Sequence, residues 1–278
     1  MSSTALKTSP PAKRDMSVEK MYHMRTVVSI GALLPGLGCY FCIAYTYVFQ
    51  FETITNFTQQ DSCPDVHSPI PPVSYSIGVW KPQRFYWMTV MFIHMPLRIF
   101  FIILYKRMFT DSAPKSLAYH YARWCYMRTL CIEAMGLSLV SIININDNFA
   151  LHALGFGTWI SAFNVNMLFN IILHHFGKVR QQSRAHEITW RLKVFMFCTG
   201  AIASCSTAFT YPLFLKLCSR FAYISFSMVE LMIIGYNSIF YSLAYWDFPN
   251  TRVTLGIHTG PHPKKIGTVS ENVEKLPI

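Results

Sequence analysis

Residues 82–98 read Pro-Gln-Arg-Phe-Tyr-Trp-Met-Thr-Val-Met-Phe-Ile-His-Met-Pro-Leu-Arg. The stretch is the mouth of a membrane helix. An aromatic triplet, Phe85-Tyr86-Trp87, stands at its rim, as belts at the membrane–water boundary do. Behind it runs an apolar segment into which His94, Pro96 and Arg98 are set. An ionisable side chain at bilayer depth costs a few kcal/mol, so it faces the protein interior and often serves function. His94 and Arg98 lie four apart and share one helix face. Pro96 between them removes a backbone donor and frees the carbonyl of Phe92, which bends the helix and adds polar capacity there. Two readings stay open: a kinked packing helix whose His and Arg pair with a neighbour's carboxylate, or a site.

Composition sets the class. The chain is 52% hydrophobic and 13% charged, against about 25% charged residues in a soluble domain. Its net charge of +11 is spread between apolar runs rather than on one patch, which speaks against a nucleic-acid surface. The eight cysteines have no paired CxxC spacing, so no zinc framework is expected, and no cofactor is implied. Residues 1–25 are polar and basic without a cleavage site, and the terminal Lys-Leu-Pro-Ile is no lumenal retrieval signal.

Six windows reach the roughly 20 mostly apolar residues a span needs: 26–49, 85–105, 127–144, 151–173, 192–213 and 221–241. The expected fold is therefore all-α, a polytopic bundle of six transmembrane helices over residues 26–248. A cytoplasmic tail, 1–25, precedes it, a long loop, 50–83, follows the first span, and a Pro-, Gly- and Lys-rich tail, 249–278, is expected to be disordered. Lys and Arg crowd the N-terminus, the second and fourth connections (Lys106 to Arg123; Lys178 to Lys193) and the tail, while the other side has Lys81, Arg84, Lys216 and Arg220. By the positive-inside rule both termini are cytoplasmic and the first loop is lumenal. That loop holds the sequon Asn56-Phe57-Thr58, a glycosylation site on that side. Cys63 and Cys218 are the cysteines of the lumenal loops, and a bridge between them would tie the first loop to the start of the last helix.

Depth groups the buried polar residues. His94 is nine residues in from Phe85, Glu133 eleven from Asn144 and Glu230 nine from Phe221, all about 13–17 Å from the lumenal rim at 1.5 Å per residue. Arg98 is a turn deeper. Such coincidence predicts one His–Arg–carboxylate cluster near mid-membrane, serving either a site or charge compensation. Asn237, seven residues after Glu230, shares its face and closes the polar stripe toward the cytoplasm. At the lumenal rim, Asp147 and His152 sit five apart at headgroup level. Asp147 is either an N-cap or the partner of a general-base histidine. No Gly-rich phosphate cradle, Gly-x-Ser-x-Gly elbow or pair of broken helices is present.

These residues carry a resemblance. Pro82-Gln83-Arg84 with His94 and Arg98, Glu133, Asp147-x-Phe149-x-x-His152 and Glu230…Asn237-x-x-Phe240…Trp246-Asp247-Phe248, with Cys63, Ser76-Ile77-Gly78 and Cys218, resemble the post-GPI-attachment-to-proteins factor 2 family. It lies within the wider Frag/DRAM/Sfk group of six-span proteins, and the likeness covers about residues 21–248. One departure is Leu213-Phe214-Leu215-Lys216 where relatives carry an Arg-His-Asn cluster; no role of that cluster carries over, and the difference is of the kind a divergent paralogue shows.

The resemblance implies lipid remodelling of glycosylphosphatidylinositol (GPI) anchors in the Golgi membrane, with the endoplasmic reticulum as the alternative location. Its step is reacylation of the lyso-anchor at sn-2 with a saturated chain. As an acyltransferase the chain would use His152, oriented by Asp147, as base, with His94 a further catalytic candidate. Arg84, Arg98, Glu133, Glu230 and Asn237 would bind the substrate, the guanidinium groups holding phosphate. Its partners would be membrane lipids, GPI-anchored proteins and a protein of the same pathway, with the acyl donor unspecified and no nucleic acid. Two other readings remain: a non-catalytic organiser of membrane lipid, and a proton-coupled carrier using Glu133, Glu230 and His94, which the absence of a visible internal repeat disfavours.

Overall fold

A computed structural model describes residues 17–55, 63–249 and 251–258, in two compact units. The larger, Met24–Thr251, is helical: α1 (Met24–Phe49), α2 (Phe51–Thr55), α3 (Val73–Gly78), α4 (Gln83–Asp111), α5 (Leu117–Ile142), α6 (Phe149–Phe176), a 3-10 turn at Val179–Gln181, α7 (Arg184–Leu217), α8 (Arg220–Ser242) and α9 (Ala244–Asp247). Six helices are long and apolar enough to cross a membrane: α1, α4, α5, α6, α7 and the run Arg220–Asp247. The protein is a polytopic helical membrane protein.

Two spans outrun their apolar windows by about two turns or more at the N-terminal end. α5 begins at Leu117 and α7 covers Arg184–Leu217. The added turns carry charges that hydropathy leaves out, yet they keep helical support. Ser183 caps α7 by accepting from the His186 amide, and Glu187 pairs with Arg191 one turn on, at 3.0 Å.

The bundle is apolar outside and polar within. Phe92, Ile202 and Phe209 are more than 70% exposed, whereas Arg98, Glu133, Lys193, Glu230 and Asp247 are buried. Lipid tails give two helices no hydrophobic reason to meet, so small residues and hydrogen bonds join them. Between α5 and α6 the glycines do this. A Cβ on Gly136 would stand 2.6 Å from the Trp159 amide nitrogen, and one on Gly155 would stand 2.6 Å from that of Val140. Only glycine lets these two backbones touch.

The loop after α1 does not stay outside. Pro72 ends an extended stretch and fixes the backbone entering α3. α3 then packs inward against α1, α4 and α8, with Val73 in a core with Cys39, Trp87 and Ile233. At the same end of the bundle Cys63 is bonded to Cys218, over a small core of Val66, Phe214 and Tyr223.

The smaller unit contains two antiparallel strands, β1 (Ser17–His23) and β2 (Arg252–His258), with Ser17 opposite His258 and His23 opposite Arg252. β2 occupies the first part of the tail that begins at residue 249. Val253, Leu255 and Ile257 alternate with Thr254 and Gly256, a strand period that the average composition of the tail hides. Its Pro- and Lys-rich part, and Asn56 of the sequon, lie outside the described residues.

Candidate functional site

The expected cluster of His94, Glu133 and Glu230 divides into separate networks. Glu133, on α5, pairs with Arg98 of α4 and with the Tyr241 hydroxyl. It also accepts from Asn166 of α6 at 2.6 Å and Asn237 of α8 at 2.9 Å. The Arg98 guanidinium lies over the Tyr241 ring, 4.3 Å from its centroid. Four donors thereby converge on this carboxylate, and Arg98 is buried beside it. Coincident depth was the wrong guide because α4 meets α5 one turn below His94.

His94 has a backbone role. Pro35 in α1 has no amide hydrogen, so the carbonyl of Gly31, four residues earlier, lacks its helical donor. The Nδ1 of His94 lies 2.8 Å from that oxygen and supplies the missing bond. A proline-bent helix in lipid must be satisfied in this way. Among the two cavities described below, His94 lines neither.

A third buried network lies at the other face of the bundle. Asp247 accepts from the Lys193 ammonium at 2.5 Å and the Tyr105 hydroxyl at 2.8 Å, with His174 Nε2 3.5 Å away. By sequence Lys193 counts as a loop charge setting orientation; it is instead wholly buried.

The remaining carboxylate builds the candidate site. Glu230 faces the first turn of α3, where it accepts from the Val73 amide at 2.8 Å and from Ser74 Oγ at 3.1 Å. His152, in the first turns of α6, places Nε2 2.9 Å from the same Ser74 oxygen and Nδ1 2.7 Å from the carbonyl oxygen of Ile143. A carbonyl only accepts, so Nδ1 carries a proton and Nε2 of the neutral ring presents a lone pair to Ser74. The hydroxyl has one proton for two acceptors. Both contacts are filled when the trio holds one further proton, on the imidazole or the carboxyl, and Ser74 is then a relay between them.

Asp147 does not orient His152. It accepts from Asn144 Nδ2 at 2.6 Å and lies 3.8 Å from Arg84, on the surface. Asn148, not Asp147, caps α6, its side chain accepting from the Leu151 amide. The ring of His152 is held by a backbone carbonyl instead, and at 6% exposure it is buried rather than at a hydrated rim.

Two cavities meet at Ser74, His152 and Glu230. The smaller, about 40 Å³, reaches inward to Trp87, Ser141, Trp159 and Asn237. The larger, about 730 Å³, is a slot along α6 and α7 that runs from Ser74 past Phe156 and Ile160 to Leu168. Its walls are mostly apolar. Ser204 and Thr207 turn their hydroxyls to carbonyls of their own helix, Gly200 and Ser204, so they present carbon to the slot. Gly157 lines it, with open space where a Cβ would stand. Among the described residues no three His, Cys, Asp or Glu are grouped to hold a metal ion.

A family model described as the Frag1/DRAM/Sfk1/Cwh43P N-terminal domain matches residues 24–251. The chain belongs to this Frag1/DRAM/Sfk1 family. The matched span of the Frag1/DRAM/Sfk1 protein contains the whole trio and both bonded cysteines. "Acyltransferase PGAP2" of Xenopus tropicalis is 25% identical over 255 residues, 88% of this chain and 96% of that one. "Post-GPI attachment to proteins factor 2" of Drosophila melanogaster is 25% identical over 215 residues, 77% of this chain and 82% of that one. The Caenorhabditis elegans protein of the same name is 21% identical over 237 residues, 82% and 86% of the two. No solved structure matches the chain.

Of the residues singled out by sequence, this Frag1/DRAM/Sfk1 fold joins His152 to Glu230, and Arg98 to Glu133 and Asn237. It leaves His94, Asp147 and Arg84 apart from the trio. Ser74 was missed. Its only signal was position: it follows Pro71-Pro72 in Val73-Ser74-Tyr75-Ser76-Ile77-Gly78, where apolar residues alternate with serines, a stretch too apolar for a solvent loop.

Proposed function

We propose that this protein is a membrane acyltransferase that remodels GPI anchors, placing a saturated acyl chain on the sn-2 hydroxyl of a lyso-anchor. The observation that carries the reading is the apolar slot ending on His152 and Ser74. From His152 to Leu168 is sixteen residues along α6, about 24 Å at 1.5 Å per residue. A lipid chain fills one leaflet, about half of a core ~30 Å thick, so the slot takes it whole. The names of the relatives, post-GPI-attachment factors and an acyltransferase, point the same way. The disulfide-bearing end faces the lumen of a Golgi membrane and both termini face the cytoplasm, in keeping with the charge asymmetry of the loops. At that end Arg84, paired with the exposed Asp147, exchanges its carboxylate for the anchor phosphate. His152 is the general base.

The test uses the full chain in proteoliposomes with a lyso-GPI-anchored protein and labelled palmitoyl donors, a coenzyme A thioester and a phospholipid in separate arms. His152→Asn keeps a donor for the Ile143 carbonyl and removes the base at Nε2. It should fold normally and lose about 10²–10⁴-fold in transfer. No transfer by the wild type in either arm would overturn the reading, and wild-type rates in His152→Asn would remove His152 from it.

A further inference from the structure

We propose that Ser74 is the nucleophile of this reaction, and that the chain passes through an acyl-Ser74 intermediate; the inference rests on the acyltransferase reading and adds a covalent step to it. Direct transfer requires the base to face the acceptor hydroxyl. In the structure the position next to His152 Nε2 is filled by a hydroxyl of the protein itself, at 2.9 Å. A base so engaged deprotonates that hydroxyl, and a nucleophile within hydrogen-bond reach of a base whose other nitrogen is fixed by a third group is the general pattern of nucleophilic catalysis. Here the third group is the Ile143 carbonyl, at 2.7 Å from Nδ1.

The surroundings fit each charge the step creates. Glu230 accepts from the neighbouring Val73 amide, so it fixes the turn that carries Ser74, whose single hydroxyl proton is turned to His152 for the reaction. Its carboxylate also offsets the imidazolium that forms when His152 takes the proton. The two cavities divide the substrate at this point. The slot holds the chain, and the small chamber on the other side receives the carbonyl oxygen. Trp87 and Trp159 line that chamber at 3% and 4% exposure, and their indole N–H groups, with the Ser141 hydroxyl, have no hydrogen-bond partner among the described residues. Buried donors left unpaired are unusual, and donors awaiting a developing oxyanion are one reason for them.

The bonds balance over two half-reactions. Ser74 Oγ attacks the carbonyl carbon of an acyl ester or thioester, and its proton passes to His152 Nε2. The tetrahedral adduct collapses, the bond to the donor's oxygen or sulfur breaks, and the leaving group takes the proton from His152. The lyso-lipid hydroxyl then attacks the acyl-Ser74 ester and gives its proton to Nε2. Ser74 leaves and recovers that proton, so enzyme and base end as they began.

The experiment incubates the full chain with each labelled palmitoyl donor and no acceptor, quenches it in acid, and maps the peptide carrying Ser74 by mass spectrometry. A palmitoyl ester on Ser74 is expected, and it should move to the lyso-GPI-anchored protein when that is added. Ser74→Cys should carry the same chain as a thioester released by neutral hydroxylamine, which decides the case should Ser74→Ala fold poorly. Ser74→Ala should lose at least about 10²-fold in transfer. An active wild type with no acyl group on Ser74 overturns the covalent step whatever Ser74→Ala does, and leaves direct acyl transfer standing. A wild type that transfers nothing fails the acyltransferase reading itself.

Discussion

Replacing Glu133 tests what holds the bundle together. Glu133→Leu leaves the Arg98 guanidinium, 6% exposed, in the interior without its carboxylate. It also strips an acceptor from Asn166, Asn237 and Tyr241. Orphaning one partner of a buried ion pair costs about 3–5 kcal/mol, a large share of a total stability of about 5–15 kcal/mol. At roughly 2–4 °C per kcal/mol for a domain of this size, the melting temperature should fall by about 6–20 °C. Removing both charges is different in kind: in Arg98→Met/Glu133→Leu no ion is left unpaired, and such exchanges are often neutral. The double variant should recover more than half of the loss. Fluorescence-detected size-exclusion of tagged protein gives the amount of folded material, and a thermal melt in detergent gives the shift. A single variant that melts with the wild type, or a double variant below the sum of the two singles, would refute the reasoning.

Other outcomes follow from the same geometry. Asp147→Ala should leave acyl transfer near wild type, because Asp147 is exposed and bonded to Asn144 and Arg84 rather than to His152; loss of activity in the transfer assay would restore it as the orienting residue. Gly136→Val should reduce folded protein strongly, since even its Cβ would stand 2.6 Å from the Trp159 backbone nitrogen, which no rotamer can relieve; the check is again the size-exclusion profile.

The legible part of the fold was the part set by composition. Six apolar windows gave six spans, because hydrocarbon forces every crossing segment to satisfy its own backbone. The first turns of α5 and α7 were not legible, since they carry Arg123 in one and Glu187 and Arg191 in the other; at α7 the Ser183 cap and the Glu187–Arg191 pair support the added turns. Within the site, His152 and Glu230 were visible as ionisable groups in apolar runs. Their partner Ser74 was not, because it comes from a loop whose return into the bundle depends on α1, α4 and α8 together. The assignment of partners failed where it relied on depth alone. His94 bonds Gly31 because Pro35 removes a donor on another helix, and no count along α4 contains that fact.

The central claim is that the slot holds the chain being transferred, and Gly157 tests it most directly. Gly157 lies five residues beyond His152 on α6, about 7–8 Å along the slot, and a Cβ added there meets nothing within 4 Å. Gly157→Trp should therefore fold as the wild type does while closing the slot below the site. The measurement is the rate of transfer to a lyso-GPI-anchored protein across a series of saturated donors from short to long. The account predicts that Gly157→Trp keeps the shortest chains and loses the long ones, shifting the preferred length downward. An unchanged length profile at full activity would contradict it.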